Sequence, residues 1–464
     1  MKTYISNDIK IENYTPSLYS WCEENLIVTN PKYETLMKMG KEDTIRRSHI
    51  SKDLKLFSRS GMTLKLPVGC LYGVWHLIKS GFVNTKFNEC NDLSIKYYTC
   101  PLKLYDYQEE AINVALKVKS GVISAPCGAG KTTIGIELIH RIGKKALWLT
   151  HTKDLLKQAA KDMKNLYPNL DIGYITDGKV DIGKDITIAT VQTLEKVSPI
   201  HYANEFETVV VDECHHVSGS ITFTKMFQKV LDNISARYKF GLSATAFRAD
   251  SLTKTMYTTL GMAPNGGFKP IYTITRDKVN SLTAEHIKVD VETPFSYDSL
   301  NADGTMDYNA LIDYLSENEI RNETIINKVM ECAEEGRKQA LLCLRVAHCE
   351  LLYEKLKEKG LRVELITGKT AAKKREQALN ETDNWDVIVS TISLFKEGIN
   401  IKALDSVHLC SPAKDKSAVI QSCGRCERVL EGKKDPKFFD YVDINFPYCL
   451  GAYKKRKSYL KNRE

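Results

Sequence analysis

The chain has 464 residues, 43% hydrophobic and 27% charged, which excludes a disordered or low-complexity protein and allows about three domains of ordinary size. Lysine and arginine outnumber aspartate and glutamate by 66 to 58, a mild excess that permits a polyanionic partner without requiring one. Thirteen irregularly spaced cysteines fit free thiols in a reducing compartment; with no apolar signal core and no uncharged run of ~20 apolar residues, a soluble cytoplasmic protein is expected.

Residues 1–100 read as a small accessory domain of mixed α and β character. Polar and apolar residues alternate around Ile9-Lys10-Ile11, residues 62–67 form a second extended stretch, and 71–78 suit a short helix. Aromatic residues (Trp21, Tyr33, Phe57, Tyr72, Trp75, Phe82, Phe87) are interleaved with basic ones (Lys38, Lys41, Arg46, Arg47, Lys52, Lys55, Arg59). Such a mixture forms either a DNA-binding surface of stacking rings or an aromatic core inside a basic exterior. Both readings stay open, ring by ring.

From residue 101 the texture changes. Apolar runs at 122–124, 146–150, 186–190, 208–211 and 240–243 alternate with helical patterns such as 154–165 and 224–234. This is the signature of a doubly wound parallel sheet covered on both faces, over 101–248. A connecting region, 249–317, carries turn signals at 264–267 and 301–304. A helical pattern at 320–332 then opens a second α/β series over 318–450, with strands at 340–344, 363–366, 386–390, 406–409 and 438–442. Residues 451–464 form a basic tail, read as a solvated end or as a phosphate-contacting segment.

Chemistry concentrates first at Ala125-Pro126-Cys127-Gly128-Ala129-Gly130-Lys131-Thr132-Thr133, a Gly-rich turn between strand and helix. Successive backbone N–H groups in such a turn cradle phosphate oxygens at the positive end of the helix. Lys131 suits the β- and γ-phosphates of ATP, and the Thr132 hydroxyl suits Mg²⁺. About 80 residues on, a buried strand ends in Asp212-Glu213. Asp212 is placed to share the metal, and Glu213 to polarise an attacking water. In the second series Arg425 and Arg428 are three apart on a predicted helix face, and two guanidinium groups suit the charge on a transferring phosphoryl group. Cys423 and Cys426 lack a second pair of zinc ligands and are not read as a metal site.

Taken in order, Ala125-x-x-Gly128-x-Gly130-Lys131-Thr132, Asp212-Glu213-Cys214-His215, Ser243-Ala244-Thr245 and Gln421-x-x-Gly424-Arg425-x-x-Arg428 resemble the DExH-type superfamily 2 helicases and translocases. Within that superfamily the chain is similar to the branched-DNA helicases of large phages, the UvsW kind. The resemblance implies two tandem RecA-like domains behind the accessory domain, ATP and Mg²⁺ as cofactors, and a host-cytoplasmic location if the chain is phage-encoded. It assigns adenine recognition to Gln108 and a place near the ribose to Gly398, within Glu397-Gly398-Ile399-Asn400. His215, Gln421, Ser243 and Thr245 become coupling groups. Thr152, Lys153, Thr190 and Gln192 of the first domain, with Arg345, Gly368 and Thr391 of the second, become contacts to the nucleic-acid backbone. Tyr105, His151, Ala246 and Asn400 depart from the family's usual residues, and none of them touches the phosphate chemistry.

The implied machine clasps one ATP between its two α/β domains and moves along DNA, branched or duplex, as a monomer or weak oligomer. Its rivals are an RNA-directed helicase and an ATP-switched factor for transcription or transcript release.

Overall fold

Alternation in the first residues builds a sheet with one dry face. Strands β1 (Lys2–Ile5) and β2 (Asp8–Glu12) pair antiparallel and turn Thr3, Ile5, Ile9 and Ile11 inward. After the ribbon of β3 (Ile27–Thr29) and β4 (Asp53–Lys55), strands β5 (Ser58–Ser60), β6 (Thr63–Pro67) and β7 (Phe82–Thr85) complete the order β5-β6-β2-β1-β7. Helices Pro16–Asn25 and Leu71–Ile78 contribute Leu18, Cys22, Val74 and Ile78 to the same core. The first is capped by Thr15, whose hydroxyl accepts from the Leu18 N–H at 3.3 Å, and starts on Pro16.

The computed structural model describes residues 1–96, 98, 101–126, 128–215, 221–244, 252–275, 282–292, 307–398, 401, 403–427 and 432–460. The expected sites at Cys127, Thr245, Ile399, Asn400 and Arg428, the Ala246 position and the turn at 301–304 lie outside them. The chain divides into two compact units, one of residues 1–125 and 130–274, the other of 126–129 and 275–464.

In the first unit, eight strands follow: β8 (Ser120–Ser124), β9 (Ala146–Thr150), β10 (Ile172–Thr176), β11 (Lys179–Val180), β12 (Ile186–Thr190), β13 (Thr208–Asp212), β14 (Tyr238–Ser243) and β15 (Tyr272–Thr273). They lie in the order β11-β10-β12-β9-β13-β14-β8-β15, parallel except where β11 turns back on β10. The five strands expected from apolar runs are the contiguous middle of the sheet, β12-β9-β13-β14-β8. Strand β10 has no such run, because its residues alternate between buried and half-buried. Helix Lys131–Ile142 lies so close to the sheet that a Cβ on Gly135 would fall 2.7 Å from Leu242 Cδ1 and Trp148 Cη2.

The accessory sheet and this eight-stranded sheet share one hydrophobic core, which runs from Ile5 and Ile9 through Val74 to Val122, Met256 and Leu260. Polar ties cross the same seam. The Met262 N–H donates to the Gly69 carbonyl at 2.9 Å, Tyr72 OH to the Val118 carbonyl at 3.0 Å, and Asn88 Nδ2 to the Phe206 carbonyl at 2.9 Å. A Cβ on Gly69 would stand 2.3 Å from the Thr258 carbonyl oxygen.

The second unit holds β16 (Thr283–Val289), β17 (Gln339–Cys343), β18 (Val363–Ile366), β19 (Val387–Thr391), β20 (Ser406–Leu409) and β21 (Lys437–Asp443). All are parallel, in the order β16-β21-β20-β17-β19-β18. The stretch expected as a connecting region is divided between the units. Helix Thr253–Leu260 and β15 extend the first, whereas β16 and helix Tyr308–Glu317 belong to the second.

The expected basic tail is also structured as far as residue 460. Helix Pro447–Leu460 buries Arg456, which pairs with Asp440 at 2.8 Å and donates to the Ala413 carbonyl at 3.0 Å. A run of cations reads as solvated, and what overrides that reading is a carboxylate facing it from β21. On the same strand Asp443 pairs with buried Arg321 at 2.7 Å, and Arg321 also donates to the Cys410 carbonyl at 2.7 Å. Pairs this deep tolerate the loss of neither partner. Among the described residues no helix is long and apolar enough to cross a membrane.

Candidate nucleotide and nucleic-acid sites

The phosphate loop leaves β8 with the Ala125 N–H donating to the Ser243 carbonyl at 2.9 Å, so it starts tied to the end of β14. Gly128 and Gly130 take φ of +85° and +75°, backbone that other L-residues rarely adopt, and Gly130 caps helix Lys131–Ile142. Lys131, Thr132 and Thr133 form the first turn of that helix, half-buried. A Cβ at position 130 would meet Gln108 Nε2 at 2.4 Å, so any larger residue there displaces the Gln108 amide. Gln108 is buried in the first turn of helix Asp106–Val118, and its Oε1 accepts from the Tyr105 N–H at 3.0 Å. The residue assigned to adenine recognition therefore lies against the phosphate loop itself.

Strand β13 delivers its two carboxylates at the same edge of the sheet. Asp212 Oδ1 accepts from the Glu213 N–H at 3.0 Å, and Glu213 sits at φ +47°, a strained position for a non-glycine residue. Lys131 Nζ lies 2.6 Å from Glu213 Oε1. His215 Nδ1 is 3.3 Å from Glu213 Oε2 and 2.9 Å from Ser243 Oγ. Burial alone would raise the Glu213 carboxyl, but the Lys131 ammonium and the hydrogen bond from His215 outweigh it and hold the group well below the usual carboxylate range. A continuous polar chain thus runs from phosphate loop to acidic strand to the Ser243 strand.

One supporting network escaped the sequence reading. Arg141, late in the phosphate-loop helix, donates to both Glu109 oxygens at 2.6 and 2.7 Å and to Glu137 at 2.9 Å, and so ties the Gln108 helix to the loop helix. Glu137 also accepts from Tyr167 OH at 3.0 Å. The i, i+4 spacing of Glu137 and Arg141 was the available signal.

The backbone-contact residues expected in the first domain gather at the ends of β9 and β12, where Thr150 and Thr190 stand in register. Thr152 caps helix Lys153–Leu166 by accepting from Leu155 N–H at 3.3 Å, and Gln192 Nε2 donates to the His151 carbonyl at 2.9 Å. Lys153 is exposed and ion-paired with Asp177. Thr190 is buried, its hydroxyl donating to Thr193 Oγ1 at 3.0 Å, so it shapes this edge from beneath.

In the second unit Arg345, Gly368 and Thr391 follow or end β17, β18 and β19, which are neighbours in the sheet. Arg345 donates to Asp313 at 2.6 Å and Asn309 at 2.8 Å, while Gly368 is exposed with open space around its Cα. Gln421 is buried and Arg425 half-buried on helix Lys416–Cys426, which Asp415 caps through the Ala418 N–H at 2.7 Å. Gly398 ends helix Ile392–Gly398.

Residues 101–248 match the type III restriction enzyme, res subunit family, and residues 321–429 match the helicase conserved C-terminal domain. The putative ATP-dependent helicase IRC3 of Saccharomyces cerevisiae is 26% identical over 387 residues, covering 76% of this chain and 54% of its own length. The chain thus spans about half of that relative. The ATP-dependent DNA helicase uvsW of Enterobacteria phage T4 is 23% identical over 396 residues, covering 78% of this chain and 75% of its own. Among solved structures, S. cerevisiae Dbp5 bound to RNA and ADP BeF3 shares the fold, with a TM-score of 0.55 and 15% identity over 78% of this chain and 89% of that one.

Two RecA-like domains, one behind a phosphate loop and an Asp-Glu strand and the other a helicase C-terminal domain, make the chain a member of the superfamily 2 helicases. Within that superfamily it resembles the phage helicases of the UvsW kind.

Proposed function

We propose that the chain hydrolyses ATP to move along DNA and remodels branched DNA by fork regression, branch migration or unwinding. The observation that carries this reading is the linked set Lys131, Glu213, His215 and Ser243, in which each group lies within 3.3 Å of the next. A phosphate-binding ammonium, a carboxylate able to orient water, and a polar relay into a neighbouring strand are what a coupled nucleotide hydrolase needs.

The donors at this edge are hard oxygens, so they fit Mg²⁺: Thr132 and Asp212 would hold it, and the ion would neutralise charge building on the phosphates. Lys131 binds the phosphates, Glu213 positions and deprotonates the attacking water, and Gln108 recognises the base. Gln421, Arg425 and Arg428 act on the phosphoryl group during transfer, a role supported by the resemblance of their motif. Thr152, Lys153 and Gln192, with Arg345, Gly368 and Thr391, hold the sugar–phosphate backbone. Such grips carry no sequence information and weaken steeply with salt.

The deciding experiment compares ATPase stimulation by single-stranded, duplex, forked and four-way DNA with that by structured RNA. Strongest stimulation by forked or four-way DNA supports the reading; strongest stimulation by RNA transfers the motor to RNA. Strand displacement that persists in Lys131→Ala overturns a hydrolysis-driven motor.

A further inference from the structure

The outward face of the accessory sheet is uncovered, and its residues stand in register. Lys65 on β6 lies opposite Lys10 on β2, Lys10 opposite Tyr4 on β1, and Tyr4 opposite Asn84 on β7. One row along, Lys2 lies opposite Phe82. The Tyr4 and Phe82 rings are diagonal neighbours, 6.3 Å apart edge to face, and the Lys10 ammonium stands 5.8 Å from the Tyr4 centroid. Both rings are exposed, Tyr4 by 37% and Phe82 by 57%.

Packing does not explain these rings. The inward residues Thr3, Ile5, Ile9, Ile11, Leu64 and Leu66 fill the core without them. Adjacent exposed aromatics on an open sheet, interleaved with lysines, are the arrangement on which unpaired bases stack while ammonium groups meet the phosphates. A protein partner fits less well, because lysine is depleted at protein interfaces.

We propose that this face is a stacking platform for the unpaired bases of a single nucleic-acid strand. The proposal rests on the nucleic-acid motor reading and adds to it the place where an unpaired strand is held. Lys10 and Lys65 already hold Glu12 and Asp8, at 2.9 and 2.7 Å. Three lysines against these two acids leave the face only slightly positive. Stacking therefore dominates, and the platform's contribution varies little with salt, unlike the backbone grips of the motor domains.

The test uses the full chain with an oligo(dT) strand and a blunt duplex, at fixed salt and without nucleotide. In Tyr4→Ala/Phe82→Ala, affinity for the single strand falls about tenfold or more while duplex affinity stays within about twofold. Tyr4→Trp/Phe82→Trp retains single-strand binding. Phe82→Trp alone gives a local signal, a saturable fluorescence quench on adding oligo(dT) and none on adding duplex. Single-strand binding unchanged in the double alanine variant, equal losses for strand and duplex, or no quench at position 82 overturns the platform. The motor reading fails separately, when the ATPase of the unaltered chain responds to no nucleic acid.

Discussion

Lys131 Nζ and Glu213 Oε1, 82 residues apart in the chain, meet at 2.6 Å in a single ion pair. The group assigned to phosphate binding therefore helps to fix the charge of the one assigned to water activation. Because the pair holds Glu213 ionised well below the ordinary carboxylate range, the base is ready across neutral and mildly acidic pH.

Glu213→Gln keeps a hydrogen-bonding side chain of the same size but removes the base. ATP binding, followed with a fluorescent analogue, is retained, whereas nucleic-acid-stimulated hydrolysis falls about 10²- to 10⁴-fold. Near-wild-type turnover in this variant would remove Glu213 from the chemistry.

Gly130→Ala adds a methyl group at φ +75° and aims it at Gln108 Nε2, 2.4 Å away. Gly178 has nearly the same backbone, φ +73°, with nothing within 4 Å. Gly178→Ala thus loses only the backbone term, roughly 1–2 kcal/mol in stability. Gly130→Ala loses that term and also about tenfold or more in ATP affinity. Equal ATP affinities in the two variants would show that Gln108 does not press on the loop.

His215→Ala and Ser243→Ala break the 2.9 Å contact between the acidic strand and the end of β14. Stimulated ATPase falls by less than about tenfold, while strand displacement per ATP hydrolysed falls further. The measurement is the ratio of the two rates in one reaction. An unchanged ratio in both variants rules out a coupling role.

Acid should loosen the second unit through two buried imidazoles. His348 lies 2.8 Å from Asn322 Oδ1, and His408 sits between Tyr441 OH at 2.8 Å and Gln339 Oε1 at 2.9 Å. Burial, with Arg321 nearby for the first and Lys328 for the second, lowers each from the ordinary 6.5 to about 3. A depressed folded-state value means the unfolded chain binds the extra proton first. Their stabilisation is present above pH 6.5 and is lost as the pH falls from 6.5 toward 3. Together they remove about 4 kcal/mol between pH 7 and pH 5. Denaturant melts at both pH values check this, and His408→Gln should flatten the dependence by about half.

How far the sequence could be read follows from how local each signal is. The interior strands β8, β9, β12, β13 and β14 are buried runs with few polar breaks, and so are β17, β19, β20 and β21. Strands at or next to the sheet edges lack that mark: β10 alternates, β15 has two residues, and β16 is exposed or half-buried except at Val289. The phosphate loop and Asp212-Glu213 are contiguous motifs and were legible as such. The contact of Gln108 with Gly130, the Lys131–Glu213 pair and the burial of Arg456 against Asp440 each join distant segments, so no window of sequence contains both partners.

The core shared by the accessory sheet and the eight-stranded sheet has a mechanical meaning. With Gly69 pressed on the Thr258 carbonyl and Asn88 holding the Phe206 carbonyl, the described residues of the amino-terminal domain are packed onto the first α/β domain through one core. Any displacement of the first α/β domain therefore carries Tyr4 and Phe82 with it. Cutting the chain at residue 100 would strip Val122, Met256 and Leu260 of their cover, so surface replacements on the accessory sheet are the cleaner way to separate its contribution from that of the α/β domains.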